Sequence, residues 1–235
     1  MNTLFTIAGF SVTPYNSMYI LGFVAVFVFN TFYGKKYGIT RLKSFLLTLS
    51  SYVFIYVFAY LLAWAESGFK DWGHHNAVRV YVWMPVIMLL TSKIFTLDWR
   101  KSVEFITSST CIVYGIARIG CLFPGCCHGY PCSWGIYSAE AGERVFPVQL
   151  CESLTALAIA AIILVLAKKR DYSRTAKLYP LMLILYGSTR FIWEFFCDNE
   201  KIFLGLSSLA MHAALMVAVG TVSLIVLTKK DKNTN

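Results

Sequence analysis

The feature that most constrains this chain is a series of apolar stretches, each about as long as a lipid bilayer is thick. A helix that crosses the hydrocarbon core needs roughly 20 mostly apolar residues. Seven stretches meet this requirement, at about 15–33, 44–64, 79–97, 103–123, 148–167, 178–197 and 205–228. Because lipid offers backbone amides no hydrogen-bond partner, each stretch is predicted to be helical. The sequence therefore predicts an all-α integral membrane protein with seven transmembrane helices.

The composition agrees with this class. Hydrophobic residues make up 57% of the chain and charged residues only 14%, whereas a soluble domain carries about 25% charge. No linker or internal repeat divides the sequence, so residues 1–235 are predicted to form a single polytopic membrane domain. The first 14 residues lack the basic segment and cleavage site of a secretory signal, so the first stretch is expected to remain as a span.

The distribution of basic residues predicts the orientation. Fourteen of the 21 lysines and arginines fall in the connections 34–43, 98–102 and 168–177 and in the C-terminal tail, all on one side of the predicted membrane. Basic loops remain in the cytoplasm, so the N-terminus is predicted to be outside and the C-terminus cytoplasmic. The net charge of +9 is thereby explained by topology. No nucleic-acid partner is expected.

Four charged residues within the apolar stretches are candidates for a functional role, because charge there is costly and tends to mark function or pairing. Arg118, Glu152, Arg190 and Glu194 lie toward the predicted outer ends of the fourth, fifth and sixth stretches. Arg190 and Glu194 are four residues apart, on one face of a helix. One interpretation is a structural ion pair. The other is a shared cavity in which two guanidinium groups bind a phosphate, such as a phospholipid headgroup.

Next to Arg118 lies a cysteine-rich segment, "ARIGCLFPGCCHG", residues 117–129, and Cys132 follows. The segment contains no C-x2-C pair of the kind common in zinc frameworks, so no metal is predicted. Three roles stay open. In the first, the small residues line a site, or Cys126 or Cys127 forms a loop disulfide with Cys132. In the second, a thiolate takes part in chemistry. In the third, the cluster binds a metal or senses redox state.

At these residues the sequence resembles the prolipoprotein diacylglyceryl transferase family. The family signature G-R-I-G-N-F-x-N-x-E-x-x-G is matched in part by "ARIGCLFPGCCHG", at Arg118, Ile119, Gly120 and Gly129, and H-P-x-Q-L-Y-E is matched in part by "FPVQLCE". Y-G-x-x-R-F-x-x-E is matched in full by "YGSTRFIWE", and Y-G-x-x-Y-x-x-G-F in part by "YNSMYILGF". The four matches occur in the family's order between residues 15 and 194.

The resemblance implies a reaction and a set of residues. The family transfers the diacylglyceryl group of phosphatidylglycerol to the cysteine thiol of a lipoprotein precursor in the bacterial plasma (inner) membrane, without a cofactor. The implied partners are phosphatidylglycerol, the lipobox peptide of the precursor and membrane lipid. The implied catalytic residues are Arg118, Arg190, Glu194, Tyr15 and Glu152. The implied substrate-binding residues are Arg118, Gly120, Gly129, Gln149, Tyr186, Cys121, Cys126 and His128.

Within that set, Arg118 and Arg190 are expected to hold the headgroup phosphate, with Glu194 orienting Arg190. Tyr15 and Glu152 are expected to line the same cavity.

The chain departs from the family pattern at polar positions. The signature's asparagine and glutamate are Cys121 and Cys126, and the histidine of H-P-x-Q-L-Y-E is Phe146. The family's H-G-G motif has no match in "GHHNAVRVYVWMP", where His74 or His75 is the candidate base. These changes affect acid–base chemistry more than phosphate binding. Two alternatives therefore stay open: a non-catalytic or altered-acceptor lipid-binding relative, and a thiol- or metal-binding membrane protein on the same scaffold.

Overall fold

A computed structural model describes residues 5–7, 10–70, 77–169 and 176–232. Seven α-helices account for most of these residues and coincide with the seven apolar stretches. They are α1 (Pro14–Tyr33), α2 (Arg41–Glu66), α3 (Met84–Ile94), α4 (Trp99–Gly120), α5 (Val148–Lys169), α6 (Leu178–Glu194) and α7 (Ser208–Lys232).

Two short antiparallel hairpins accompany the helices. β1 (Phe5–Ile7) pairs with β2 (Phe10–Val12), and β3 (Pro131–Ser138) pairs with β4 (Glu143–Val145). The prediction of an all-α chain is therefore wrong in these segments, and the fold is mostly helical. Both hairpins lie outside the apolar stretches, where the lipid constraint that demands a helix does not act.

The helices differ in how well they suit a membrane. Four helices in the described ranges are long and apolar enough to cross one: Pro14–Tyr37, Arg41–Ala65, Val148–Lys169 and Ser208–Lys230. The third predicted span is divided, because a 3-10 segment at 77–83 precedes α3. Pro85 lies in the first turn of α3, where its missing N–H removes no helical hydrogen bond. A crossing by all seven helices remains a prediction.

Local capping signals explain where several helices begin. Thr13 accepts a hydrogen bond from the Asn16 amide at 3.2 Å, and Pro14 follows it at the start of α1. Asp98 accepts from the Lys101 amide at 3.0 Å at the start of α4. Each side chain satisfies an amide that has no partner within its helix.

Helix α4 lies at the centre of the bundle and packs against α1, α3, α5 and α6. Its middle, from Ser102 to Cys111, is buried all round and is rich in serine and threonine. Small residues allow helix backbones to approach closely, and their hydroxyls bond to carbonyls of the preceding turn.

Buried polar contacts fix the helices around α4 at the end remote from Arg118. The Asn30 amide donates to the hydroxyls of Thr48 and Ser109, both at 3.1 Å, and so joins α1, α2 and α4. The Glu104 carboxylate accepts from the Leu178 amide at 2.8 Å and caps α6. These contacts therefore fix the positions of the helices at the end of the bundle remote from Arg118, and they limit how the helices can approach one another at the Arg118 end.

Successive helices run in alternating directions. The starts of α1, α5 and α7 and the ends of α4 and α6 consequently meet at one end of the bundle, called here the site end. The β3–β4 hairpin connects α4 to α5 there.

The α6–α7 crossing depends on glycine. A Cβ at buried Gly187 would lie 2.8 Å from the Ala213 carbonyl oxygen, closer than such contacts occur. Gly187→Val is therefore expected to lower the free energy of unfolding by about 1–3 kcal/mol through overpacking. The measurement is thermal or denaturant unfolding in detergent micelles. Ala218→Val on the exposed face of α7 is the matched control, and an equal loss in both variants would contradict this account of the crossing.

Candidate active site

Four charged side chains from three helices meet at the site end. The Arg118 Nε of α4 donates to Glu152 Oε2 of α5. A terminal nitrogen of Arg190 on α6 lies 3.1 Å from Glu152 Oε1 and 2.5 Å from Glu194 Oε2. The structure thus brings together the four charged residues that the sequence singled out. Glu152 lies between the two arginines.

This ion network is buried. The side chains of Glu152, Arg190 and Glu194 are each 2% exposed, whereas that of Arg118 is 12% exposed. Desolvating such ions costs several kcal/mol each, and only close pairing offsets this cost. Two positive and two negative groups give a formally neutral network. Arg118 is the member of the network that has access to the surface.

Tyr114 belongs to the same network, although the sequence analysis did not identify it. Its hydroxyl donates to Glu152 Oε2 at 3.2 Å, and the Arg118 guanidinium lies 5.9 Å from its ring centroid. The ring also packs edge-on against Tyr186, with centroids 5.2 Å apart. Tyr114 lies one helical turn before Arg118, and this spacing is the signal that could have identified it.

Glu194 is fixed by residues that follow α6. Its Oε1 accepts from Asn199 Nδ2 at 2.6 Å and from the Ser207 hydroxyl. Both donors lie in the irregular segment between α6 and α7, where no periodic pattern marks a partner. The carboxylate therefore uses one oxygen for Arg190 and the other for this segment.

The two signature glycines have packing roles. A Cβ at Gly120 would lie 3.0 Å from the Tyr15 carbonyl oxygen, so Gly120 allows α1 to approach the end of α4. Gly129 donates from its amide to the Phe146 carbonyl at 3.0 Å and pairs with Cys197 in an isolated β-bridge. These contacts join the connection after α4 to the start of α5 and the end of α6.

The remaining predicted site residues make contacts of their own. Gln149 Nε2 donates to the Cys126 carbonyl at 2.7 Å, and Tyr15 donates to the Tyr19 hydroxyl at 3.2 Å. His128 Nδ1 lies 3.0 Å from the Gly129 carbonyl. Among the hydrogen bonds and ion pairs of the described residues, none links these three side chains to the four charged groups. His74 and His75 lie outside the described residues.

Phe146 occupies the position of the family's histidine and belongs to an aromatic group. Its ring stacks on Phe196 with centroids 5.2 Å apart, and Trp134 meets it edge-on at 5.5 Å. Trp193 lies beyond at 6.4 Å. This position therefore supplies apolar contact instead of a ring nitrogen.

Three cysteines form a group beside the ion network. The Sγ atoms of Cys121, Cys126 and Cys127 all lie within 4.8 Å of one another. Cys132 is not part of this group, and all seven cysteines are free thiols. The loop disulfide with Cys132 is therefore not formed. The sequence predicts no metal site, but the structure brings three potential metal ligands together. We call Cys121, Cys126 and Cys127 the thiol group.

Arg118 connects the thiol group to the ion network, since its terminal nitrogen lies 3.7 Å from Cys121 Sγ. Hydrogen bonds from the thiols of Cys121 and Cys126 lower the pKa of Cys127, and the Arg118 charge adds to the effect. Hydrogen bonding to Cys121 and Cys127 raises the pKa of Cys126. Cys127 is therefore the thiol of the group that is expected to ionise first.

Comparison with known proteins places these residues in a family. The model of the family described as prolipoprotein diacylglyceryl transferase matches residues 2–227. The phosphatidylglycerol–prolipoprotein diacylglyceryl transferase 2 of Clostridium perfringens is 25% identical over 134 residues, which cover 54% of this chain and 51% of that protein. The phosphatidylglycerol–prolipoprotein diacylglyceryl transferase of Dehalococcoides mccartyi strain CBDB1 is 30% identical over 128 residues, covering 51% and 48%. The chain thus spans about half the length of the curated relatives it matches.

Removal of the central carboxylate should destabilise the site end. Glu152→Ala leaves buried Arg190 and partly exposed Arg118 without their shared partner, so the free energy of unfolding is expected to fall by about 3–5 kcal/mol. The measurement is equilibrium unfolding in micelles, with Glu143→Ala on exposed β4 as control. If the control loses as much stability as Glu152→Ala, the network does not hold the helices together.

The thiol group should show unequal reactivity. Because its pKa is lowered and its side chain is exposed, Cys127 is expected to be alkylated by iodoacetamide at pH 7 before Cys126, whose pKa is raised. Mass spectrometry of peptides from reduced, metal-free protein gives the order of labelling. Labelling of Cys126 first would contradict the assigned directions of the two pKa shifts.

Proposed function

The chain belongs to the prolipoprotein diacylglyceryl transferase family, and we propose that it transfers the diacylglyceryl group of phosphatidylglycerol to the cysteine thiol of a lipoprotein precursor. The observation that carries the proposal is the meeting of Arg118, Glu152, Arg190 and Glu194 in one buried network. These four residues come from three separate motifs of the sequence, and the family match covers all of them.

The reaction requires a thiolate as nucleophile and stabilisation of a departing phosphate. The thiolate sulfur attacks a glyceryl carbon, the bond from that carbon to the phosphate oxygen breaks, and glycerol phosphate leaves with the electron pair. Fixed positive charge beside the departing group stabilises it most in a site that excludes water.

Arg118 is the residue proposed to contact that phosphate. Its guanidinium is partly exposed, and Glu152 and Tyr114 hold it in place. A guanidinium offers paired donors that match phosphate oxygens.

Arg190 is proposed to act through Glu152. It is enclosed between Glu152 and Glu194, so it positions the carboxylate that orients Arg118. Direct contact between Arg190 and the phosphate stays a prediction, as do the substrate-lining roles of Tyr15, Gln149, Tyr186 and His128.

The proposed membrane arrangement has seven crossings, an external N-terminus and a cytoplasmic C-terminus. Its support is the separation of charge along the bundle. The basic connections 34–43 and 98–102 and the basic C-terminal end of α7 lie at the end opposite the site end. The site would then face the outer leaflet of a bacterial plasma membrane, where a lipobox peptide is the proposed acceptor.

The test uses purified protein in lipid, phosphatidylglycerol labelled on its headgroup, and a lipobox peptide. Release of glycerol phosphate is expected to depend on the peptide cysteine, so a peptide with serine in its place gives none. Arg118→Ala is expected to slow release by about 100-fold or more, because it removes the charge beside the leaving phosphate. Lys201→Ala, an exposed basic residue near the site end, is the matched control.

Two results would contradict the proposal. The first is absence of thiol-dependent release by protein that is folded and binds phosphatidylglycerol, which favours a non-catalytic lipid-binding relative. The second is an equal rate for wild type and Arg118→Ala, which removes the phosphate-binding role from the ion network.

A further inference from the structure

The connection after α4 holds the thiol group in a fixed arrangement. Gln149 on α5 donates to the Cys126 carbonyl at 2.7 Å, and Ser138 on β3 donates to the Gly125 carbonyl at 2.9 Å. Cys127 has a φ of 57°, a conformation that costs a non-glycine residue about 1 kcal/mol or more. Hydrogen bonds from two different elements therefore maintain a strained backbone that brings three thiols together.

The spacing of the three sulfur atoms suits a thiophilic metal ion. In a tetrahedral zinc site each Zn–S bond is about 2.3 Å, which puts the sulfur atoms about 3.8 Å apart. The three Sγ atoms already lie within 4.8 Å of one another, so a contraction of about 1 Å or less brings them to this geometry.

The thiol group offers three protein ligands and remains accessible. No further histidine, cysteine, aspartate or glutamate joins it among the residues that the structure describes. Cys127 is exposed and Cys126 is half-buried, so a fourth ligand from outside can reach the group. Three protein ligands with one open position are typical of catalytic zinc, whereas structural zinc has four.

We propose that Cys121, Cys126 and Cys127 bind one zinc ion whose fourth position takes the acceptor thiol of the precursor peptide. The zinc site follows from the thiol group itself. The identity of the fourth ligand rests on the proposed function.

The proposal supplies the nucleophile that the transfer requires. A thiol that coordinates zinc loses its proton, here to solvent. The zinc-bound sulfur then attacks the glyceryl carbon, a C–S bond forms, and the C–O bond to phosphate breaks with its electron pair on glycerol phosphate. No group is oxidised or reduced. The acceptor needs no separate side-chain base, which accounts for a chain that has Phe146 in place of a histidine.

Electrostatics at the boundary of the two clusters fit this arrangement. Zinc with three thiolates carries a net charge of −1, and the Arg118 guanidinium lies 3.7 Å from Cys121 Sγ. The same arginine is the proposed contact for the departing phosphate. Metal-bound thiolate and departing phosphate would therefore both lie beside one positive charge, with the glyceryl carbon that is attacked between the sulfur and the leaving oxygen.

The first arm of the test measures metal binding without substrates. Reduced, full-length protein in lipid is incubated with zinc, and bound metal is counted after removal of free ion. About one zinc per chain is expected, and cobalt(II) at the same site should give cobalt–thiolate charge-transfer absorption. Cys127→Ser, at an exposed position, should weaken zinc binding by more than about 100-fold. Cys132→Ser, in the same connection but outside the group, should bind as the wild type does.

Several outcomes of this arm would overturn the zinc site. They are absence of bound zinc in reduced protein, equal losses in Cys127→Ser and Cys132→Ser, and a disulfide within the group that persists under reduction.

The second arm tests the fourth ligand. A lipobox peptide is expected to shift the cobalt absorption, whereas its serine counterpart is not. A shift without glycerol phosphate release supports the site and contradicts the transfer reaction. If zinc-free protein transfers the diacylglyceryl group as fast as zinc-loaded protein does, the result supports the reaction and overturns the role of zinc. The two proposals can therefore fail separately.

Discussion

The site depends on Glu152, because its single carboxylate is shared by arginines from two other helices. Each of these ions would be costly to bury alone, and together they are stable only in one relative placement of α4, α5 and α6. The network therefore fixes the geometry of the site. Since close packing also limits each helix, a small displacement of α5 would break contacts to both arginines at once.

That placement is prepared by the opposite half of the bundle. The buried serine and threonine side chains of α4 bond mostly to their own helix, and glycines at the crossings keep neighbouring backbones near. Asn30 and Glu104 join separate elements there by buried polar contacts. In the described residues, small side chains in the half remote from Arg118 thus set the spacing of the helices. The ion network at the site end depends on that spacing.

The sequence predicted those parts of this structure whose length and composition are constrained by the lipid bilayer. All seven helices were predicted, because apolar length is a direct consequence of the membrane, and the four charged residues stood out against it. The β3–β4 hairpin was missed because polar connections carry no such constraint. Asn199 and Ser207 were missed for the same reason, whereas Tyr114 had a usable signal in its spacing from Arg118. The meeting of the three thiols depends on the conformation of one connection, which spacing along the sequence does not determine.

The division between helices and connections also bears on how the chemistry of this chain could differ from its family. Charges that need three helices in register cannot be replaced one at a time without leaving an unpaired ion in the core. The thiols lie in a connection held by hydrogen bonds from Gln149 and Ser138 to backbone carbonyls, which do not depend on the neighbouring side chains. Side chains in that connection can therefore change while its path is kept. Under the proposed mechanism, an exchange of asparagine and glutamate for cysteine would alter how the acceptor is activated and would leave Arg118 in place.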